Sequence, residues 1–210
     1  MFKFLASTLT LSALLAVPTA SHAVIYTFNA ALSGANEVLT AAPGGPGSGN
    51  AVLNYDDKGT LALTDDTYNF SMSVFGLTGG TSAGTTGTAA SIFHIHGPAT
   101  TAQNSGVMVG LDNPALFTFL NSGSTLLVGG SNVVAPTGLF SGPSFQMSFL
   151  TALRSSLAYV NVHTFLNPQG AVRGQLIEVT AVPEPSTYAM LLAGLGVVGL
   201  VARRRRASQT

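Results

Sequence analysis

The sequence predicts a mainly β fold, an antiparallel β-sandwich or barrel with one short helix, flanked by an N-terminal signal helix and a C-terminal hydrophobic helix. Three observations predict it. Charged residues make up only 8% of the 210-residue chain, so the Glu- and Lys-rich faces of a helical bundle are missing. Val, Thr, Phe and Tyr recur in short runs, which suits pleated, half-buried surfaces. Gly-, Ser- and Thr-rich stretches at Pro43 to Gly49 and Gly76 to Thr88 separate those runs, as turns separate the strands of antiparallel sheets. The length accommodates one ordinary domain plus targeting segments, and no internal repeat is visible.

Taken in order, residues 1–23 read as a secretory leader. Lys3 precedes an apolar run from Phe4 to Val17, and Ser21-His22-Ala23 places small residues where the peptidase needs them, so cleavage by signal peptidase is expected between Ala23 and Val24. An uncleaved membrane helix is the alternative, but the run is shorter than the roughly 20 residues a span requires.

Within residues 24–181, strands are expected at Ile25 to Ala31, Asn50 to Tyr55, Thr60 to Thr64, Tyr68 to Phe75, Ser91 to His96, Val107 to Leu111, Tyr159 to Phe165 and Ala171 to Val179. Asp56-Asp57-Lys58-Gly59 reads as the hairpin turn between the second and third. A short helix is expected from about Ser144 to Ser155, supported by Phe145, Phe149, Ala152 and Leu153.

Charge and composition exclude several classes of function. From Val24 to Val182 three bases, Lys58, Arg154 and Arg173, face seven acids, a net charge of −4; no basic stripe is available for phosphates, so nucleic acid is not a partner. Cysteine is absent, which removes disulfides, thiolate ligands and a cysteine nucleophile. No nucleophile elbow, phosphate loop or general-acid pair is present, and no enzyme activity is indicated.

Residues 182–210 hold Val182-Pro183-Glu184-Pro185-Ser186-Thr187, an apolar stretch from Tyr188 to Ala202, and Arg203, Arg204, Arg205 and Arg206. Pro183 and Pro185 are expected to hold the segment extended, with the helix starting after them. The apolar stretch would rise about 22 Å as a helix, short of a roughly 30 Å hydrocarbon core, and could span only with thinning of the bilayer or snorkelling arginines, which stay cytoplasmic. These residues resemble the PEP-CTERM sorting signal. That resemblance implies an exosortase-type enzyme as partner, with processing at Pro183-Glu184-Pro185. It also implies export across the inner membrane of a Gram-negative bacterium, transient anchoring through the C-terminal helix, and release to the cell surface or extracellular matrix, where exopolysaccharide is a candidate partner. A permanent anchor is the alternative.

The domain resembles the CHRD family. The resemblance is carried by Leu32-Ser33-Gly34-Ala35-Asn36-Glu37-Val38, Gly76-Leu77-Thr78-Gly79, Phe93-His94-Ile95-His96-Gly97-Pro98-Ala99, Tyr159-Val160-Asn161-Val162-His163-Thr164 and Asn167-Pro168-Gln169-Gly170-Ala171-Val172-Arg173-Gly174-Gln175-Leu176. Leu39 and Thr40 stand where the family usually has prolines, and Gln169 and Ala171 where it usually has Gly and Glu. The family has no settled biochemical activity, so the resemblance does not by itself give a function; a noncatalytic surface or matrix module delivered by the sorting tail is expected, with an exported copper- or zinc-binding protein as the alternative.

His94, His96 and His163 are the residues best equipped for chemistry. In a strand His94 and His96 share one face about 7 Å apart, with Phe93 and Ile95 on the other; Asn161 and His163 likewise share a face. If those strands are neighbours, three imidazoles converge, with ligand nitrogens about 3.3 Å apart, and would take copper or zinc. A carbonyl or carboxylate should then receive the free N–H of at least one ring. Hydrogen-bonded structural histidines are the alternative. The H-x-H strand with a distant third histidine is similar to part of the copper site of copper/zinc superoxide dismutase, but the zinc-loop histidines and cysteines of that enzyme have no counterpart here. Asp56 with Asp57 and Asp65 with Asp66 are read as turn and strand-end residues rather than calcium ligands, and a Glu37–Arg173 pair would be a structural bond.

Overall fold

Alternation of apolar and polar side chains builds the core. In the computed structural model, which describes residues 23–38, 45–77, 93–121, 124–179 and 185–207, strands β1 (Ile25–Ser33), β2 (Ser48–Asp56) and β3 (Thr67–Phe75) form an antiparallel meander. Register aligns their inward residues in rows: Tyr26, Tyr55 and Tyr68; Phe28, Leu53 and Phe70; Ala30, Ala51 and Met72. Burying one such Leu or Phe side chain contributes about 1.5–3 kcal/mol.

The remaining strands are β4 (Phe93–His96), β5 (Val107–Gly110), β6 (Thr118–Asn121), β7 (Thr125–Val134), β8 (Leu139–Ser141), β9 (Gln146–Ser148), β10 (Tyr159–Val162), β11 (Val172–Gln175) and β12 (Ile177–Glu178). One sheet runs in the order β5-β4-β10-β11-β1-β2-β3-β7-β6, with β12 also pairing β1; β8 and β9 form a separate ribbon. The sheet curls until its two ends approach: Phe93 of β4 meets Phe119 of β6 edge-on, with ring centroids 5.4 Å apart. The result is an antiparallel half-barrel. Helix α1 (Phe149–Arg154), capped by Ser148, whose hydroxyl accepts the Thr151 N–H at 3.3 Å, places Phe149 against Tyr55 and Tyr68.

Several elements differ from expectation. Thr60 to Thr64 is not a strand. Asp57-Lys58-Gly59-Thr60 does make a tight turn, with Lys58 and Gly59 at φ of 51° and 67°, but the chain then stays irregular until β3 pairs Thr67 with Asp56. A strand there would have exposed its apolar side chains, since Leu61 and Leu63 are 104% and 47% accessible. Strands β6 to β9 lay hidden in the sequence. Gly129-Gly130-Ser131-Asn132 continues β7 through a bulge opposite Tyr68 and Phe70, with the Asn132 N–H bound to Asn69 Oδ1 at 2.8 Å. The expected helix begins later than Ser144, because residues 146–148 pair with β8 instead. Strand β10 stops at Val162, short of Phe165, and the last expected strand divides at Leu176.

Helix α2 (Pro185–Ala207) begins at Pro185 itself rather than after it. Proline is at home in the first turn, where its missing N–H would have had no partner. Arg203 and Arg204 are exposed. Among the described residues no helix is long and apolar enough to cross a membrane, so the expected transmembrane helix is not found. The leader up to His22, with Pro183 and Glu184, lies outside the described residues.

Candidate metal centre

The histidine cluster is built on the pairing of β4 with β10. These strands run antiparallel with Asn161 opposite His94 and Tyr159 opposite His96. Phe93 and Ile95 enter the core, as do Val160 and Val162. His94, His96, Tyr159 and Asn161 therefore share the outer face, where the loops after β4 and β10 cover them, and His163 follows directly on β10. One ring nitrogen from each of His94, His96 and His163 lies within 4.8 Å of the others. His96 Nε2 is 3.2 Å from His94 Nδ1, and the ring centroids are 5.0 to 5.9 Å apart.

Two backbone carbonyls orient the rings. His96 Nδ1 lies 2.9 Å from Ser105 O and His163 Nδ1 lies 3.0 Å from Pro168 O. Because a carbonyl only accepts, both Nδ1 atoms carry the hydrogen, which leaves the Nε2 lone pairs free in the neutral rings. The His96 Nε2 lone pair turns toward His94, whose Nδ1 lies 3.2 Å away. Burial keeps all three imidazoles neutral. It pushes the His94 pKa down to about 4, helped by the neighbouring His96 and His163. Burial lowers those of His96 and His163 as well, against the opposing pull of their carbonyl partners.

A stack of three side chains braces one ligand. Tyr159 lies parallel to His96, with centroids 5.2 Å apart and planes 14° from parallel. The Arg173 guanidinium covers the other face of Tyr159 at 3.6 Å. The phenol accepts the Ser105 N–H at 3.0 Å and donates to Ser105 O at 3.4 Å, gripping the residue that orients His96. Arg173 also donates to the carbonyls of Gln103 and Thr100 and to Asn104 Oδ1, at 2.9 to 3.0 Å. The loop over the site is thus tied to β11.

Sequence reasoning did not find Tyr159, Ser105 or Pro168. The alternation that pairs Asn161 with His163 also puts Tyr159 on their face, a signal present but unread; the carbonyls carry no sequence signal. Glu37 and Arg173 do not form an ion pair. Glu37 Oε2 instead accepts from Asn161 Nδ2 at 3.4 Å, and burial raises its pKa to about 7 despite the attraction of Arg173 and the Asn161 bond. The acid pairs have other partners: Asp56 binds Lys58 at 2.6 Å, Asp57 accepts from Val24 and Gly59, Asp65 from Thr60, and Asp66 from the Tyr55 hydroxyl. Among the described residues, only the three histidines form a group able to hold a metal ion.

The sequence pattern of the CHRD domain matches residues 28–176, well over half of the 210 residues. This chain belongs to the CHRD-domain family. All three histidines lie within the CHRD domain, as does the Arg173–Tyr159 brace. The PEP-CTERM protein-sorting motif matches residues 181–206, which implies processing by an exosortase-type enzyme, with export, transient membrane anchoring and then the cell surface. No curated protein and no solved structure matches the chain.

Proposed function

We propose that this CHRD-domain protein is a noncatalytic surface or extracellular-matrix protein whose domain captures one transition-metal ion, copper(II) or zinc, through His94, His96 and His163. The observation that supports the reading is the convergence of three neutral imidazoles, two of them held at Nδ1 by backbone carbonyls so that Nε2 carries the lone pair. Three nitrogen donors suit copper or zinc and not calcium or magnesium, which prefer oxygen. The residues therefore fit a cation. The sorting tail supports delivery of such a site to the cell surface; in this reading captured metal is held there or within the matrix.

The test is the metal content of the purified protein after exposure to copper or zinc and dialysis. About one ion per chain is expected, falling to a small fraction in His94→Ala with the fold retained by circular dichroism. Equal metal in wild type and variant sinks the proposal.

A further inference from the structure

We propose that the three-histidine site is an open one: its ion keeps a coordination position for an exchangeable ligand of the water or hydroxide class, whose hydrogen is accepted by Asn161 Oδ1. This rests on the metal-binding reading above.

Donor number is the first argument. Zinc in proteins is almost always four-coordinate, and sites with three protein ligands hold a water or substrate in the fourth position. No fourth His, Asp or Glu among the described residues joins the cluster, and cysteine is absent. Glu178 is turned to Arg154, 3.6 Å away. The four aspartates around the turn after β2 hold the partners already described. One position is left for a non-protein ligand, and His163, only partly buried, leaves it open to solvent.

The second argument is an unsatisfied acceptor on the histidine face of the sheet. Asn161 is 3% exposed, and its Oδ1 is buried with no hydrogen-bond partner. Register places Asn161 between Arg173 of β11 and His94 of β4, on the histidine face. Its Nδ2 is committed to Glu37, whose own Oε1 is also buried and unpartnered. Above pH 7, where Glu37 has lost the proton that could serve Asn161 Oδ1, neither oxygen has a donor, and a buried acceptor without one is costly. A metal-bound water or hydroxide carries the missing O–H, whereas a halide or another ligand without hydrogen leaves Asn161 Oδ1 unpaired. The site thus favours an oxygen ligand bearing a hydrogen.

The experiment uses the full-length protein loaded with copper(II) at about pH 8.5, where Glu37 is ionised, and reads the proton relaxation rate of the solvent water and its response to added azide. Several-fold faster relaxation than in the zinc-loaded protein, suppressed by azide, is expected for an exchanging inner ligand. In Asn161→Ala azide should compete about fivefold better, because the water it displaces has lost an acceptor worth about 1 kcal/mol. Bound copper with no relaxation enhancement and no azide response overturns the open position alone. Unchanged or weaker azide binding in Asn161→Ala overturns the role of Asn161. Failure to bind copper at all removes the metal reading, and this inference with it.

Discussion

Tyr159 shows how much a single residue outside the ligand set decides. It stacks on His96 and holds both the N–H and the carbonyl of Ser105, so its hydroxyl fixes the ring that would ligate the ion. Tyr159→Phe keeps the stack and loses the grip on Ser105; copper affinity should fall about tenfold, at the low end for residues that orient ligands. Isothermal titration checks this, alongside an unfolding temperature of the metal-free variant that stays close to wild type. Glu37 offers a different test. Its pKa is raised to about 7 in the folded chain from an ordinary 4.5, so the folded state prefers the protonated form. That contribution is fully present below pH 4.5 and is lost as pH rises through 7. Glu37→Gln should therefore stabilise the protein above pH 7, by about 1–2 kcal/mol once the group's partial exposure is discounted, and leave it little changed at pH 4. Urea midpoints at the two pH values decide it.

At the scale of elements, the tight turn after His163 ties the ligand strand to Glu37. Asn167 and Thr164 exchange backbone hydrogen bonds at 3.1 and 3.2 Å, and Gly170 then turns the chain at φ +143°, where an added Cβ would overlap the Glu37 carboxylate. Gly170→Ala should destabilise the fold by about 1–3 kcal/mol, combining the backbone conformation with the clash. A chemical-denaturation midpoint unchanged from wild type would show that the turn yields at no cost. Strand β7 teaches the converse: Gly129 and Gly130 look like a break, yet Gly130 is small because the Phe117 ring occupies the place of its side chain. A glycine pair signals close approach as readily as a turn.

For the whole molecule, the proposed metal would compete with protons for the same three nitrogens. The histidine pKa values are lowered on folding, that of His94 to about 4. Their contribution to stability is complete above about pH 6.5 and is lost as pH falls toward 4, because the unfolded chain takes up those protons first. Zinc at about 100 times its dissociation constant should add about 2.7 kcal/mol at pH 7.5, read as a raised unfolding temperature. The rise should vanish near pH 4, where unfolded histidines are charged and ligands are lost to protons. An unfolding temperature indifferent to zinc at pH 7.5 would count against the site.

The sequence by itself determined the mainly β class, the position of several strands, the H-x-H face and both family resemblances, because period-2 alternation and ordered motifs are local properties that survive without coordinates. Residues such as Phe28, Leu53 and Phe70 declare their side of the sheet wherever it goes. Tertiary structure alone decided which strands became neighbours. His94 and His163 are far apart in the chain, and only the β4–β10 register brings their rings together. It also decided that Arg173 stacks on Tyr159 rather than pairing with Glu37, since a buried guanidinium takes whichever carbonyls and ring the loop presents. The site's orienting groups, Ser105 O and Pro168 O, are backbone atoms that every residue possesses, so their role becomes visible only when the loops close over the histidines.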